Sequence, residues 1–256
     1  MTVRFASLGS GSKGNSTIID DGETRLLIDL GFTVKDSVRR LARLEIDPAS
    51  VDAILVTHEH ADHCHGVAAF ARKFDTPVYL TYGTYQPDSM GQLPGLHCFN
   101  CHQPFQLGSF RVAPVAVPHD AKEPCQYVLS SGAATIGVLT DLGHITPHVR
   151  EAYRDCDALL LECNHDLDML REGPYPWPLK QRVGGDYGHL NNEQAAGLLE
   201  SLNLQRLQTL VISHVSEQNN QPELALAAIR GYLENWPGNL VMASQDEGID
   251  WTEIGG

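Results

Sequence analysis

Ala53-Ile54-Leu55-Val56-Thr57-His58-Glu59-His60-Ala61-Asp62-His63 is an apolar run that breaks into a cluster of histidines with one aspartate. The apolar part predicts a short buried strand. Side chains alternate along extended backbone, so His58 and His60 point the same way as the strand gives out. Asp62 and His63 then open the following turn and face a neighbouring point. Such an arrangement suits two metal ions sharing one mouth better than one ion in a cage. Neutral imidazoles with a carboxylate favour Zn, Mn or Fe over Ca or Mg.

Polar groups recur where other apolar runs end. Asp29 follows Leu26-Leu27-Ile28, and His119 with Asp120 follows 112–117. Asp141 follows 136–140, Glu162, Asn164 and His165 follow Leu159-Leu160-Leu161, and His214 follows Val211-Ile212-Ser213. A lone aspartate after a strand is usually a helix cap or turn former. Several such residues together with the histidine cluster describe a site, because open α/β folds place ligands where strand ends converge.

The rest of the chain alternates short apolar runs with helical spacing. Strands are predicted at 3–8, 16–20, 25–29, 53–56, 77–80, 158–161 and 210–212, with a meander over 110–117, 126–129 and 135–140. Helices are predicted around Val34, Val38, Leu41 and Ala42, over 66–74, from an Asn191 or Asn192 cap to about Leu202, and from Pro222 to near Trp236. Two short strands finish the chain. No repeat or low-complexity linker divides it, so 1–256 is read as a single α/β domain of two packed sheets with helices outside.

Composition sets limits. The chain has 256 residues and 42% hydrophobic content, enough for a core. No apolar stretch approaches the ~20 residues of a membrane span, and no signal peptide pattern precedes the first strand. A cytoplasmic protein without membrane contact is expected, with its six cysteines reduced. A net charge of −14 argues against broad adhesion to nucleic acid. It does not exclude a hydrolase that meets phosphates through metal ions.

In order along the chain, Asp29, His58-x-His60-x-Asp62-His63, His119, Asp141 and His214 resemble the motifs of metallo-β-lactamase-fold hydrolases. Closer matches are Ser10-Gly11-Ser12-Lys13-Gly14-Asn15-Ser16, Pro118-His119-Asp120-Ala121, Thr140-Asp141-Leu142-Gly143 and Glu162-Cys163-Asn164-His165-Asp166. With Tyr175-Pro176-Trp177 and Gly188-His189-Leu190, these are similar to the WalJ/YycJ/VicX group, itself similar to ribonuclease Z and the PhnP phosphodiesterase. The resemblance implies a four-layer αββα sandwich with a dinuclear site at one edge. It implies that His58, His60 and His119 bind one divalent transition metal ion, Asp62, His63 and His214 another, and that Asp141 bridges them. Asp29 and Glu162 are expected to support the ligands from behind, and Asp62 to take part in catalysis.

The implied activity is phosphodiester cleavage, since that group includes 5′-to-3′ DNA exonucleases. Two ions roughly 3.5–4 Å apart can hold a bridging hydroxide as nucleophile and clamp a phosphoryl oxygen. The ions are expected to be Zn or Mn, with Fe also fitting the donors. His189 matches a histidine that protonates the leaving oxygen in ribonuclease Z-like and PhnP-like enzymes. An alkoxide needs that proton, whereas a thiolate hardly does. The alternatives are a small-molecule hydrolase (a cyclic phosphodiesterase or a glyoxalase II-like thioesterase) and a non-catalytic scaffold in a DNA repair or signalling complex. The scaffold should have lost ligands, and every one is present.

Substrate contacts are expected from Ser12 and Asn15 in the glycine-rich loop, from His165, and from Lys180 and Arg182. The aromatic loop Gly173-Pro174-Tyr175-Pro176-Trp177-Pro178 reads as a packed lid or rim. Cys98-Phe99-Asn100-Cys101-His102 matches a haem-attachment pattern, but haem is not expected in a cytosolic chain. Cys64 and His65 are expected to pack under the histidine loop, and His144 and His148 to lie on a short surface helix. DNA is the expected partner, and oligomeric state is left open.

Overall fold

The computed structural model describes residues 2–132 and 134–255. The described strands are β1 (Val3–Gly9), β2 (Ser16–Asp20), β3 (Arg25–Ile28), β4 (Ala53–Leu55), β5 (Val78–Thr81), β6 (Leu96–Phe99), β7 (Phe105–Leu107), β8 (Phe110–Ala116), β9 (Cys125–Ser130), β10 (Thr135–Leu139), β11 (Ala158–Glu162), β12 (Thr209–Ser213), β13 (Asn239–Met242) and β14 (Ile249–Ile254). Among the described residues they form two seven-stranded sheets, in the orders β14-β1-β2-β3-β4-β5-β6 and β13-β12-β11-β10-β9-β8-β7. In the first sheet β1, β2 and β3 are antiparallel, and β3 to β6 run parallel. In the second, β7 to β10 are antiparallel and β10 to β13 parallel.

Strand periodicity explains the layering. Leu26, Ile28, Ala53 and Leu55 face Val138, Ala158, Leu160 and Val211 in a core between the sheets. Their neighbours point outward: Leu27 and Ile54 meet Leu41, Val67 and Phe70 from the helices Val34–Arg43 and Val67–Phe74. Leu159, Leu161, Leu210 and Ile212 meet Val149, Ala195 and Ile229 from the helices Pro147–Tyr153, Asn192–Leu198 and Pro222–Arg230. Three apolar interfaces separate four layers, which is the expected αββα sandwich. Strands buried on both faces must be apolar throughout, and these runs were readable for that reason.

The departures have local causes. The helix opened by Pro222 stops at Arg230, and the chain continues through turns in which Asn235 is left-handed at φ 61°. β6 and β7 carry no clear sequence signal: both are short and largely half-exposed, without a marked pattern. The two last strands join different sheets, β13 beside β12 and β14 beside β1. Trp177 is 67% exposed at the start of the helix Trp177–Val183, so that aromatic is not packed as a lid. His144 precedes the helix Pro147–Tyr153 and its Nδ1 lies 2.9 Å from Asp186 O, whereas His148 is on that helix and exposed. His65 is exposed rather than packed, while the Cys64 thiol donates to Glu59 O (3.1 Å) and burial raises its pKa to about 11. No potential metal-holding group among the described residues includes Cys98, Cys101 or His102.

Candidate metal centre

The parallel strands β3, β4, β10, β11 and β12 all deliver polar residues at their C-terminal ends. Three of these residues turn left-handed as they leave the sheet: Asp29 at φ 59°, Asp141 at φ 53° and His214 at φ 52°. That conformation is disfavoured for side chains other than glycine, and it clusters at functional sites. Gly31 lies under the histidine loop, where a Cβ would fall 1.8 Å from Asp62 O. Only glycine allows the chain to pass that closely.

The hydrogen bonds set the tautomer of each histidine. Asp29 is buried and accepts from the Thr57 amide (2.8 Å), from Thr57 Oγ1 (2.8 Å) and from His63 Nδ1 (2.8 Å). Because the Thr57 hydroxyl donates to Asp29, His58 Nδ1 must donate to Thr57 Oγ1 (2.9 Å). His119 Nδ1 donates to Gly188 O (3.0 Å), and His214 Nδ1 donates to Glu162 Oε1 (2.9 Å). In all four rings the Nδ1 proton is held by the protein, and Nε2 is left as the lone-pair atom, the usual support for a metal-binding histidine.

These lone pairs converge. His119 Nε2 is 3.2 Å from His60 Nδ1, and His63 Nε2 is 3.1 Å from Asp141 Oδ2 and 3.5 Å from Asp62 Oδ2. His214 Nε2 lies 3.7 Å from Asp62 Oδ2. Ligand atoms of His58, His60 and His119 lie within 4.8 Å of one another, as do those of Asp62, His63 and His214 and those of His58, His63 and Asp141. His58 Nε2 and Asp141 Oδ2 are buried with no hydrogen-bond partner. Buried polar atoms almost always have partners, so these two fit ligands of a cation. Electrostatics agree. Burial opposes a charged imidazole, yet Asp141, Asp62 and Glu162 push the His214 pKa up to about 10. Burial likewise opposes charge on His63, but Asp141, Asp29 and Asp62 raise it well above its ordinary value. A field that holds protons this strongly also draws divalent cations, and the fold with its His/Asp clusters implies such ions.

Glu162 is fully buried and also accepts from His189 Nδ1 (2.8 Å) and from the Leu190 (3.0 Å) and Leu142 (3.3 Å) amides. Burial works against its charge, but His189 and His214 bring its pKa down to about 2. His189 is 22% exposed and its Nδ1 is 3.6 Å from Asp141 Oδ1. Burial would lower its pKa, but Glu162 and Asp141 raise it.

The predicted substrate contacts divide. The Asn15 side chain is engaged by the Gly11 backbone (2.8 and 3.0 Å) and by His63 Nε2 (3.1 Å). It therefore ties the glycine-rich loop to the histidine loop. Ser12 stands exposed on that loop. Arg182 reaches the mouth through an ion pair with Asp120, whose Oδ1 is 3.4 Å from His119 Nε2. Lys180 instead donates to Arg171 O (2.6 Å). His165 is 1% exposed with both ring nitrogens unpartnered, and burial lowers its pKa to about 4. Sequence reading missed the part of Thr57, which relays Asp29 to His58. A threonine at a strand end carries no signal for that.

Comparison with known proteins agrees with this geometry. Residues 24–214 match the family described as the β-lactamase superfamily domain. The chain is 33% identical to exodeoxyribonuclease YycJ of Bacillus anthracis, covering 91% of this chain and 90% of that protein. It is 34% identical to exodeoxyribonuclease WalJ of Streptococcus pneumoniae, covering 87% and 85%. The fold is shared with the metallo-β-lactamase fold protein YhfI from Bacillus subtilis, with a TM-score of 0.77 at 15% identity over 99% of this chain and 100% of that one. It is shared too with a PhnP-family diphosphatase (TM-score 0.65 at 19% identity, covering 100% and 99%) and with the short form of human tRNase Z (0.66 at 15%, covering 98% of each). The chain therefore belongs to the β-lactamase superfamily of metal-dependent hydrolases, in the family of the YycJ and WalJ proteins.

Proposed function

We propose that the protein is a dinuclear-metal phosphodiesterase that degrades DNA from a 5′ end. The observation that carries the reading is Glu162, one buried carboxylate that accepts from both His189 and His214. It joins a titratable histidine to the metal centre, an arrangement a leaving alkoxide needs. The identity to two proteins named exodeoxyribonucleases, across nearly their whole lengths, supports the choice of DNA.

In this reading His58, His60 and His119 would hold one ion and Asp62, His63 and His214 the other, with Asp141 available to both. Zn and Mn suit these donors, and Fe is also compatible. When bound, the pair supplies Lewis acidity at the phosphoryl oxygens and acidifies water. Asp29 and Thr57 keep the ligand rings in their tautomers. His189, with Nδ1 committed to Glu162, carries the transferable proton on Nε2. As the P–O3′ bond breaks, that proton goes to the departing 3′ oxygen. In this reading the Ser12 to Asn15 loop and Arg182 meet phosphate, with Ser12 exposed on that loop in support. Residues 1–256 act as one hydrolase domain, and a cytoplasmic role in DNA repair fits the reading.

Purified protein, loaded with Mn or Zn in turn, should release mononucleotides from 5′-labelled DNA. Elemental analysis should give about two ions per chain, the number this ligand set accommodates. Fewer than one equivalent after reconstitution, or rapid turnover of a thioester with no cleavage of DNA, would overturn the proposal.

A further inference from the structure

Among the described residues the most exposed large hydrophobic side chains are Tyr82, Trp177 and Tyr187, at 70%, 67% and 63%. Two of them are anchored to the metal centre through one short loop. The Asp120 amide donates to Tyr187 O (2.9 Å), directly after His119. The amide of Gly83, beside Tyr82, donates to Glu123 Oε2 (2.7 Å), and Thr81 Oγ1 donates to Glu123 O (2.9 Å). Between these anchors the Lys122 amide donates to Glu59 Oε1 (3.0 Å), within the His58-Glu59-His60 turn. The loop thus lies across the histidine turn with one tyrosine segment fastened at each end. From Asp120 to Glu123 an extended chain spans roughly 10 Å at most. The chain bends between these residues, so the two anchors lie closer together than that.

Tyr82 and Tyr187 keep most of their surface in solvent, so both rings are open to a partner. Every unpaired base offers a flat apolar face, and rings of this kind hold single strands without reading sequence. In a duplex those faces are covered by stacking. Cations sit on the same loop: Lys122 itself, and Arg182 through Asp120. To meet backbone phosphates Lys122 must give up Gln86 Oε1 and Arg182 must give up Asp120, and the whole chain carries a net charge of −14.

We propose that Tyr82 and Tyr187 form a stacking platform for the unpaired bases of a single-stranded DNA end whose backbone crosses the His/Asp cluster. This rests on the phosphodiesterase reading and names the form of its substrate. Tyr82→Ala, Tyr187→Ala, the double variant and the two Phe variants are compared by fluorescence anisotropy with a labelled single-stranded oligodeoxynucleotide and with a blunt duplex. Turnover of the oligonucleotide and of bis-p-nitrophenyl phosphate, which carries no base, is measured beside them. Each Ala is expected to weaken single-strand binding roughly 5- to 150-fold, the usual worth of one stacked base. Phe should restore it, and the loss on the single strand should exceed the losses on the duplex and on bis-p-nitrophenyl phosphate at least about fivefold. If the unmodified protein degrades DNA and the Ala variants bind the single strand equally well, or lose all substrates alike, the platform is wrong and the phosphodiesterase reading stands. No binding or cleavage of DNA by the unmodified protein would overturn both.

Discussion

His189 and His214 share an acceptor, so one buried carboxylate orients both rings. His189→Ala should keep fold and metal but lose roughly 10²–10⁴-fold in turnover on alkoxide leaving groups. An activated aryl ester needs no proton on departure and should lose less; equal losses on both would assign His189 to binding or structure. Glu162→Gln tests the coupling through pH. Burial lowers the His189 pKa, and Glu162 with Asp141 raises it above the ordinary value. Proton donation requires the protonated ring, so activity falls as pH rises through that pKa. Without the Glu162 charge the pKa drops, and the alkaline limb of kcat/KM should move to lower pH. A limb that stays in place would show that Glu162 does not set it. At this scale the polar cluster was legible because its residues stand where apolar runs end. The left-handed turns at Asp29, Asp141 and His214 were not legible, since a strained backbone persists only where surrounding structure imposes it.

Elements position the site through close approaches that single glycines permit. Gly31→Ala would set a Cβ 1.8 Å from Asp62 O, so the histidine loop must move. A loss of about 2 kcal/mol in stability and roughly 10–100-fold weaker metal binding are expected, by denaturant titration and competition with a chelator. Gly197, inside the helix Asn192–Leu198, has open space where a Cβ would stand, with no atom within 4 Å. Gly197→Ala should instead stabilise by about 0.5–1 kcal/mol and leave metal affinity alone. The two glycines look alike in the sequence, and only their surroundings separate them. The helix behind the site was readable for a different reason. Asn191 caps it through a capping box with Gln194, a local signal that needs no distant partner.

Across the whole molecule, two sheets bring acidic and imidazole groups to one edge, and the carboxylates there repel one another. Chelation should therefore lower the melting temperature, and metal should restore it in a concentration-dependent way, by RT ln(1 + [L]/Kd). An unchanged melting temperature would mean that the ions contribute nothing to the native state.

The sequence by itself determined the layers, most of the strands and the identity of the polar cluster. Period-two burial, caps and strand-end polar residues are written within a few neighbouring positions. Tertiary structure alone decided that β13 and β14 part to different sheets, that Asn15 braces His63, and that Trp177 stands in solvent. It also decided that the segments carrying Tyr82 and Tyr187 are fastened to the two ends of one loop, which is itself tied to Glu59. These depend on contacts between segments far apart in the chain, and no local pattern encodes which distant group will be there to meet them.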